Sequence, residues 1–328
     1  MPKICIQILN NPQSTGGIQS IAQQIEKVMT GFGAVCESSD LTKISMFLDL
    51  FRGHNGKDDL IVFIHGMSNF VTLRALLFIL FCKIIGVRSK KIIWQPHFHP
   101  FEKHNRPFFA SLYFHLVNRL LGILVDKIIA ITALEKSMLT KFFDIRKIEI
   151  IPNPLRFNEE GTINVKKYGS EDRCDYFLLV GRNEPNKNFS AIIEKKSYWL
   201  SVMPKIKFVT NERKEIPDDM DILSNVSEVQ LMDLYANAFA LIVPSDYEAF
   251  SLVALEALSL GTPVICSANI GIQEFQCVQD VLLLIDFDNP FIDCERVMEI
   301  REELVSRRHE IVNFFGEAAY AKNLSSLI

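Results

Sequence analysis

Cysteine is sparse and unpatterned: seven in 328 residues, with no Cys-x-x-Cys and no Cys/His cluster. An odd count without metal-ligand spacing argues against a disulfide framework and a structural zinc site, and fits a reducing compartment. Glycine and proline are modest at 15 and 13, which excludes a collagen-like or low-complexity chain. Long hydrophobic runs are missing as well. Ala75 to Cys82, in the most apolar stretch, is bounded by Arg74 and Lys83 and falls far short of the ~20 residues a spanning helix needs. Met1 to Leu9 reads as a strand rather than a secretory leader. What is present is globular, 48% hydrophobic and 23% charged, and the length suggests two domains at roughly 150 residues each. A cytoplasmic protein is expected, at most peripheral on the inner face of a membrane.

Charge is unevenly divided. Up to Asn153 there are 18 Lys+Arg against 11 Asp+Glu; the remainder has 17 against 28, giving the net −4. Val71 to Lys147 holds 13 basic and four acidic residues. Two bodies with different partners are implied, one of them facing an anionic surface. No nucleic-acid partner is expected.

Short β-branched runs alternate with helical patterns, the signature of parallel sheets covered by helices. Strands are expected at Ile4–Leu9, Leu60–Ile64, Lys91–Trp94, Lys127–Ile131 and Ile148–Ile151, with helices at Ile18–Thr30, Asn69–Ile85, Pro107–Leu121 and Leu134–Phe142. After Pro152-Asn153-Pro154 comes a polar stretch, Arg156 to Arg173, without clear periodicity. The alternation then restarts. Strands are expected at Tyr176–Val180, Ile206–Val209, Phe239–Val243, Pro263–Cys266 and Val281–Ile285, and helices at Ser190–Val202, Val229–Asn237, Ala249–Leu260 and from Arg296 onward. The reading is two doubly wound domains, residues 1–153 and 174–328, joined by a linker over 154–173, with the last helix packing back on the first domain. Ligands of such sheets sit beyond the carboxyl ends of the strands.

The most informative segment is Leu241 to Cys266, LIVPSDYEAFSLVALEALSLGTPVIC. A buried strand leads through a polar turn into a helix apolar on nearly every face. Glu256 is the only charge inside that helix and Glu248 stands at its entrance. A buried carboxylate needs a partner, and eight helical residues span roughly 12 Å, so the pair could hold the two ends of an elongated ligand. The N–H groups of Phe250, Ser251 and Leu252 are donors of a helix start, a seat for phosphate. Alternatively, Ser245-x-x-Glu248 is a capping box and Glu256 reaches solvent.

This segment resembles the signature of retaining glycosyltransferase family 4, GT-B enzymes with paired glutamates eight residues apart. The resemblance implies a GT-B fold, with two Rossmann-like domains facing a central cleft. It also implies that Glu248 contacts the donor hexose and Glu256 the nucleotide ribose. Ala249 and Ser251 stand where the family usually has glycine, which narrows the hexose pocket.

Gly181-Arg182-Asn183-Glu184-Pro185-Asn186-Lys187-Asn188 follows the strand Tyr176–Val180. Arg182 and Lys187 suit a diphosphate, as a fork and a point charge, and the stretch is similar to the family's element that stabilises the departing diphosphate. Ser14-Thr15-Gly16-Gly17 is by itself a tight turn; the resemblance places Gly16 and Gly17 near the phosphates and acceptor. In Gln95-Pro96-His97-Phe98-His99-Pro100, a metal reading lacks a third ligand. The resemblance implies that His97, with His99 in reserve, touches the donor sugar and the incoming hydroxyl. His65-Gly66 ends another strand, where His65 would line the cleft. Asp286-Phe287-Asp288 has the spacing of a GT-A metal pair but reads better as a solvated strand end.

Electrostatic stabilisation of the leaving diphosphate by Arg182, Lys187 and the helix start would do a metal's work, so neither a metal nor a cofactor is expected. The resemblance implies a retaining hexosyltransferase, without a side-chain nucleophile, acting from a GDP- or UDP-sugar on a glycan or glycolipid of bacterial envelope polysaccharide or lipopolysaccharide synthesis. The alternatives are a GT-B-type nucleotide-sugar epimerase and a non-catalytic partner subunit. Val71 to Lys91, apolar with Arg74, Lys83, Arg88, Lys90 and Lys91, could rest on anionic headgroups or form a core helix with basic ends.

Overall fold

In the computed structural model, residues 3–9, 17–39, 59–66, 69–84, 89–97, 108–157, 175–213 and 216–328 are described. Two compact units divide the chain, Met1–Pro154 with Glu317–Ile328 and Leu155–Gly316. The chain enters the second unit at Leu155 and leaves it at Gly316, and these points are tied together there: the Leu155 N–H donates to the Phe315 carbonyl at 2.7 Å.

The first unit is built on β1 (Lys3–Ile8), β2 (Ala34–Ser39), β3 (Asp59–His65), β4 (Ser89–Gln95), β5 (Lys127–Ala130) and β6 (Ile148–Ile150). All pair in parallel, in the order β2-β1-β3-β4-β5-β6. Central parallel strands are covered on both faces, which is why Leu60–Ile64 is continuously apolar. The connecting helices are α1 (Gly17–Gly31), α2 (Asn69–Ile84), α3 (Phe108–Leu124) and α4 (Ala133–Leu139). α2 sends Val71, Ala75, Phe78, Ile79 and Cys82 into a core shared with Trp94, Leu121 and Ile128. The last helix of the chain, Glu317–Ser325, lies against α1, where Glu317 pairs with Lys27.

The second unit holds β7 (Tyr176–Val180), β8 (Lys205–Val209), β9 (Asp221–Leu223), β10 (Ala240–Val243), β11 (Val264–Cys266) and β12 (Leu282–Leu284), again all parallel, in the order β12-β11-β10-β7-β8-β9. Its helices are α5 (Phe189–Glu194), α6 (Lys196–Val202), α7 (Glu228–Asn237), α8 (Leu252–Ser259), α9 (Gln276–Gln279) and α10 (Cys294–Phe315); Glu317–Ser325 is then α11. α7 opens on a complete capping box between Ser227 and Gln230.

The structure corrects several sequence expectations. Two strands were missed, β2 and β9, both at sheet edges. AVCESS and DIL lack the apolar run that marks the inner strands, whereas the other two edge strands, β6 and β12, were expected. The helix expected over Ser190–Val202 is two helices that meet at Lys195, which has φ −105° and ψ 26°. The helix expected from Ala249 begins three residues later, at Leu252, because Ser251 sits at φ +85°.

Strand order reverses between β7 and β10 in the second unit, and between β1 and β3 in the first. These are the switch points where doubly wound sheets open a crevice at their carboxyl ends.

Candidate functional site

The loops leaving β7 and β10 flank the switch point of the second unit. Gly181, at φ +148°, opens the first loop with a backbone that side chains rarely adopt. Pro185–Lys187 forms one 3₁₀ turn and Asn188 takes the left-handed conformation at φ +51°. The two loops are zipped together. Asp246 donates its N–H to the Asn186 carbonyl at 2.9 Å, and the Asn188 side-chain amide donates to the Asp246 carboxylate at 3.1 Å.

That zipper brings Lys187 onto Glu248, with Nζ 2.6 Å from Oε1, while the Ser245 hydroxyl donates to the same oxygen at 2.7 Å. The Glu248 backbone is fastened on its other side: its N–H donates to the Asn269 carbonyl and its carbonyl accepts from Gly271. Burial alone would raise this carboxyl, but the Lys187 charge and the Lys187 and Ser245 hydrogen bonds outweigh it and hold the group below its ordinary value. Ser245 therefore binds the Glu248 side chain rather than capping a helix, which removes the capping-box alternative. Arg182 is placed differently. It is largely exposed and turned onto Glu184 at 2.8 Å.

At the start of α8, the N–H groups of Phe250, Ser251 and Leu252 donate no hydrogen bond among the described residues. Phe250 and Ser251 are buried, and Leu252 and Val253 are half-buried. The Phe250 ring is structural, edge-on to Phe275 and Phe315.

Glu256, one turn further along α8, is 3% exposed and does not reach solvent. Arg156 places a guanidinium nitrogen 3.1 Å from Oε1, and the Tyr235 hydroxyl donates to Oε2 at 3.0 Å. Burial pushes the carboxyl up to about 7 against the pull of Arg156 and Tyr235. Neither partner was found in the sequence. Arg156 was placed at the head of the polar linker, and Tyr235 lies on α7. The available signal was the lone glutamate in an apolar helix, which demands a partner but does not say which residue supplies it.

In the first unit, His65 ends β3 and His97 follows β4 at φ +50°. Their rings stack with centroids 6.1 Å apart. Gln7 donates its amide to the Ala22 carbonyl at 2.8 Å; its oxygen is therefore the acceptor from His65 Nε2 at 2.9 Å. Burial drives both imidazoles down, to about 3 for His65, with the His97 charge adding to it, and about 4 for His97. They are neutral at physiological pH. His65 Nδ1, His97 Nε2 and the Gln95 carbonyl oxygen are buried without a hydrogen-bond partner among the described residues. This cluster of uncharged polar atoms suits hydroxyl groups rather than phosphate. Gly17 is the first residue of α1; Gly16 and His99 lie outside the described residues. Asp286 accepts from the Asp288 N–H at 2.8 Å and the Asn289 side chain at 3.3 Å, closing a turn around a buried Phe287.

Residues 162–290 match the family model described as Glycosyl transferases group 1, a span that contains Arg182, Lys187, Glu248 and Glu256. An O-antigen chain mannosyltransferase, RfbU of Salmonella typhimurium, is 27% identical over 173 residues, covering 49% of this chain and 47% of the relative; the chain thus spans about half of that protein's length. Among solved structures, sucrose-phosphate synthase from Thermosynechococcus elongatus superposes with a TM-score of 0.70 at 16% identity, covering 100% of this chain and 98% of that one. Anabaena HepE in complex with UDP gives 0.63 at 12% identity, covering 99% of each chain. The fold is GT-B. Within a GT-B chain, the second unit's switch point offers a lysine–glutamate pair, free backbone donors and a buried carboxylate. That set can hold an anion at one end and hydroxyl groups at the other.

Proposed function

We propose that the chain is a retaining glycosyltransferase that moves a hexose from a GDP- or UDP-linked donor to a glycan or glycolipid acceptor of envelope polysaccharide synthesis. The observation that carries this reading is Lys187, paired with Glu248 beside the unpaired N–H groups of Phe250, Ser251 and Leu252. The diphosphate takes Lys187 and those N–H groups, and Glu248, released from Lys187, accepts from hexose hydroxyls. Arg182 leaves an exposed ion pair worth about 0–1 kcal/mol, so turning it onto the diphosphate costs little. Negative charge on the leaving group is met by fixed positive groups without a metal. The acceptor attacks the face that the nucleotide leaves, its proton passing to the departing phosphate. His97, neutral and with a buried unpartnered Nε2 among the described residues, suits a hydrogen bond to a hydroxyl. The O-antigen relative and the group 1 match support this class of acceptor and donor.

An anionic lipid surface belongs to the same reading. α2 exposes Leu77, Leu80 and Ile84, and α3 exposes Leu116, Leu120 and Ile123. Lys83 and Arg119 are exposed on the same helices, neither of which contains an acidic residue. The sequence pointed only to the first of these helices. Among the described residues no helix is long and apolar enough to cross a membrane.

The test is product analysis after incubation with GDP-mannose, UDP-glucose, UDP-galactose or UDP-N-acetylglucosamine, without acceptor. Slow release of free sugar and nucleoside diphosphate from one donor is expected. A new sugar nucleotide would mean an epimerase, and no turnover together with no nucleotide binding would mean a non-catalytic partner.

A further inference from the structure

We propose that Arg156 and Tyr235 form a positioning clamp that holds the Glu256 carboxylate in the orientation needed to accept two hydroxyls of the nucleotide ribose. The proposal rests on the nucleotide-sugar reading above and adds two residues to it. Arg156 sets its positive charge 3.1 Å from Oε1 as an ion pair, and the Tyr235 hydroxyl donates to Oε2 at 3.0 Å. A carboxylate has about four lone-pair sites, so both oxygens keep acceptor capacity. Two open acceptors, side by side and fixed in direction, match a vicinal diol.

The clamp is itself braced. The Arg156 guanidinium lies over the Phe157 ring at 5.2 Å, and that ring meets Tyr235 edge-on at 6.3 Å. Thr262 donates to the Tyr235 carbonyl at 2.6 Å, and Leu155, next to Arg156, is tied to Phe315. A packing role alone does not account for the charges. A buried ion pair is commonly replaceable by apolar residues without loss of stability, and apart from Ser259 the rest of α8 is apolar. The groups facing Glu256 are Arg156, Tyr235 and, at longer range, Glu228 of α7. Arg156 and Tyr235 favour the ionised carboxylate; Glu228 and burial oppose it.

The experiment measures UDP and GDP affinity calorimetrically from pH 6 to 9 for the whole chain and its variants, and follows the Glu256 carboxyl by ¹³C NMR. In the wild type, affinity should fall as Glu256 protonates near neutrality. Arg156→Met should move that titration upward by about one unit or more, weaken binding about tenfold at pH 7, and recover most of the loss by pH 9. Tyr235→Phe should act in the same direction with a smaller shift, and keeps the test open if Arg156→Met fails to fold. Glu256→Gln should bind weakly with a flat pH profile. A loss in Arg156→Met and Tyr235→Phe that is equal at every pH would mean a merely structural role and overturn the proposal, as would an unmoved Glu256 titration. If the wild type binds neither nucleotide, the functional reading fails and the ribose assignment falls with it. The NMR titration then shows whether the clamp acts on Glu256 at all.

Discussion

Lys187 and Glu248 are partners whose removal has separable effects. Lys187→Met leaves Glu248 buried without its counter-charge, which costs about 3 kcal/mol, and removes the proposed diphosphate ligand, which should lower turnover at least ~100-fold. Adding Glu248→Gln should restore most of the stability and none of the turnover, as checked by urea unfolding beside a donor-hydrolysis assay. Ser251 tests the backbone. It holds φ +85° without being glycine, a conformation that costs a side-chain-bearing residue on the order of 1 kcal/mol or more. Ser251→Gly should raise stability by about 1 kcal/mol, read as a small rise in Tm; an unchanged or lower Tm would mean that the buried hydroxyl contributes more than the strain costs. At this scale Glu248, Glu256, Lys187 and Arg182 could be singled out because they lie within two contiguous motifs, although Arg182 turns onto Glu184 rather than joining the Lys187–Glu248 pair. Arg156 was not, because its meaning depends on a contact 100 residues away, and a polar stretch without periodicity gives no hint of it.

Among the elements, α2 and α3 carry the clearest prediction. Each buries one face in the core of the first unit and leaves a leucine and isoleucine stripe exposed, spaced i, i+3, i+7 on α2 and i, i+4, i+7 on α3. Basic neighbours without acidic ones favour anionic lipid over a second copy of the same surface, which would oppose like charges. The chain should sediment with vesicles of phosphatidylglycerol and phosphatidylcholine at low salt, more weakly at high salt, and Leu80→Glu with Leu120→Glu should abolish it. Sedimentation as a dimer that ignores vesicles would contradict this. The inner strands and most helices were readable from burial on both faces and from 3.6-residue periodicity. β2 and β9 escaped because AVCESS and DIL carry no sustained apolar run, and the start of α8 was misplaced because a left-handed serine leaves no compositional mark.

For the whole molecule, stability should depend on pH in a way set mainly by the first unit. His65 and His97 titrate below the ordinary imidazole value of 6.5, so the folded state resists their protonation. Their contribution is complete above about pH 6.5 and is lost as pH falls toward 4 and 3, at up to about 1.4 kcal/mol per pH unit for each. Glu256 is shifted upward and works the other way, its contribution lost as pH rises from about 4.5 to 7. In the overlap it cancels roughly half of the histidine effect. The chain has two tryptophans, and Trp94 and Trp199 lie one in each unit, so Trp199→Phe leaves Trp94 to report on the first unit alone. Urea midpoints for that unit should drop from pH 6.5 to pH 4.5, and the drop should flatten in His65→Gln. A midpoint independent of pH over that range would contradict the buried neutral pair.

Both sheets reverse their strand order at one point, and the second unit sets Lys187, Glu248 and the α8 start beside its own reversal. Titration of the whole chain with UDP and GDP, wild type against Lys187→Met at pH 8, tests that placement most directly. One nucleotide should bind the wild type, and the variant should lose at least tenfold in affinity. Absence of binding to both, or equal affinity in the two proteins, would contradict a diphosphate site at this position.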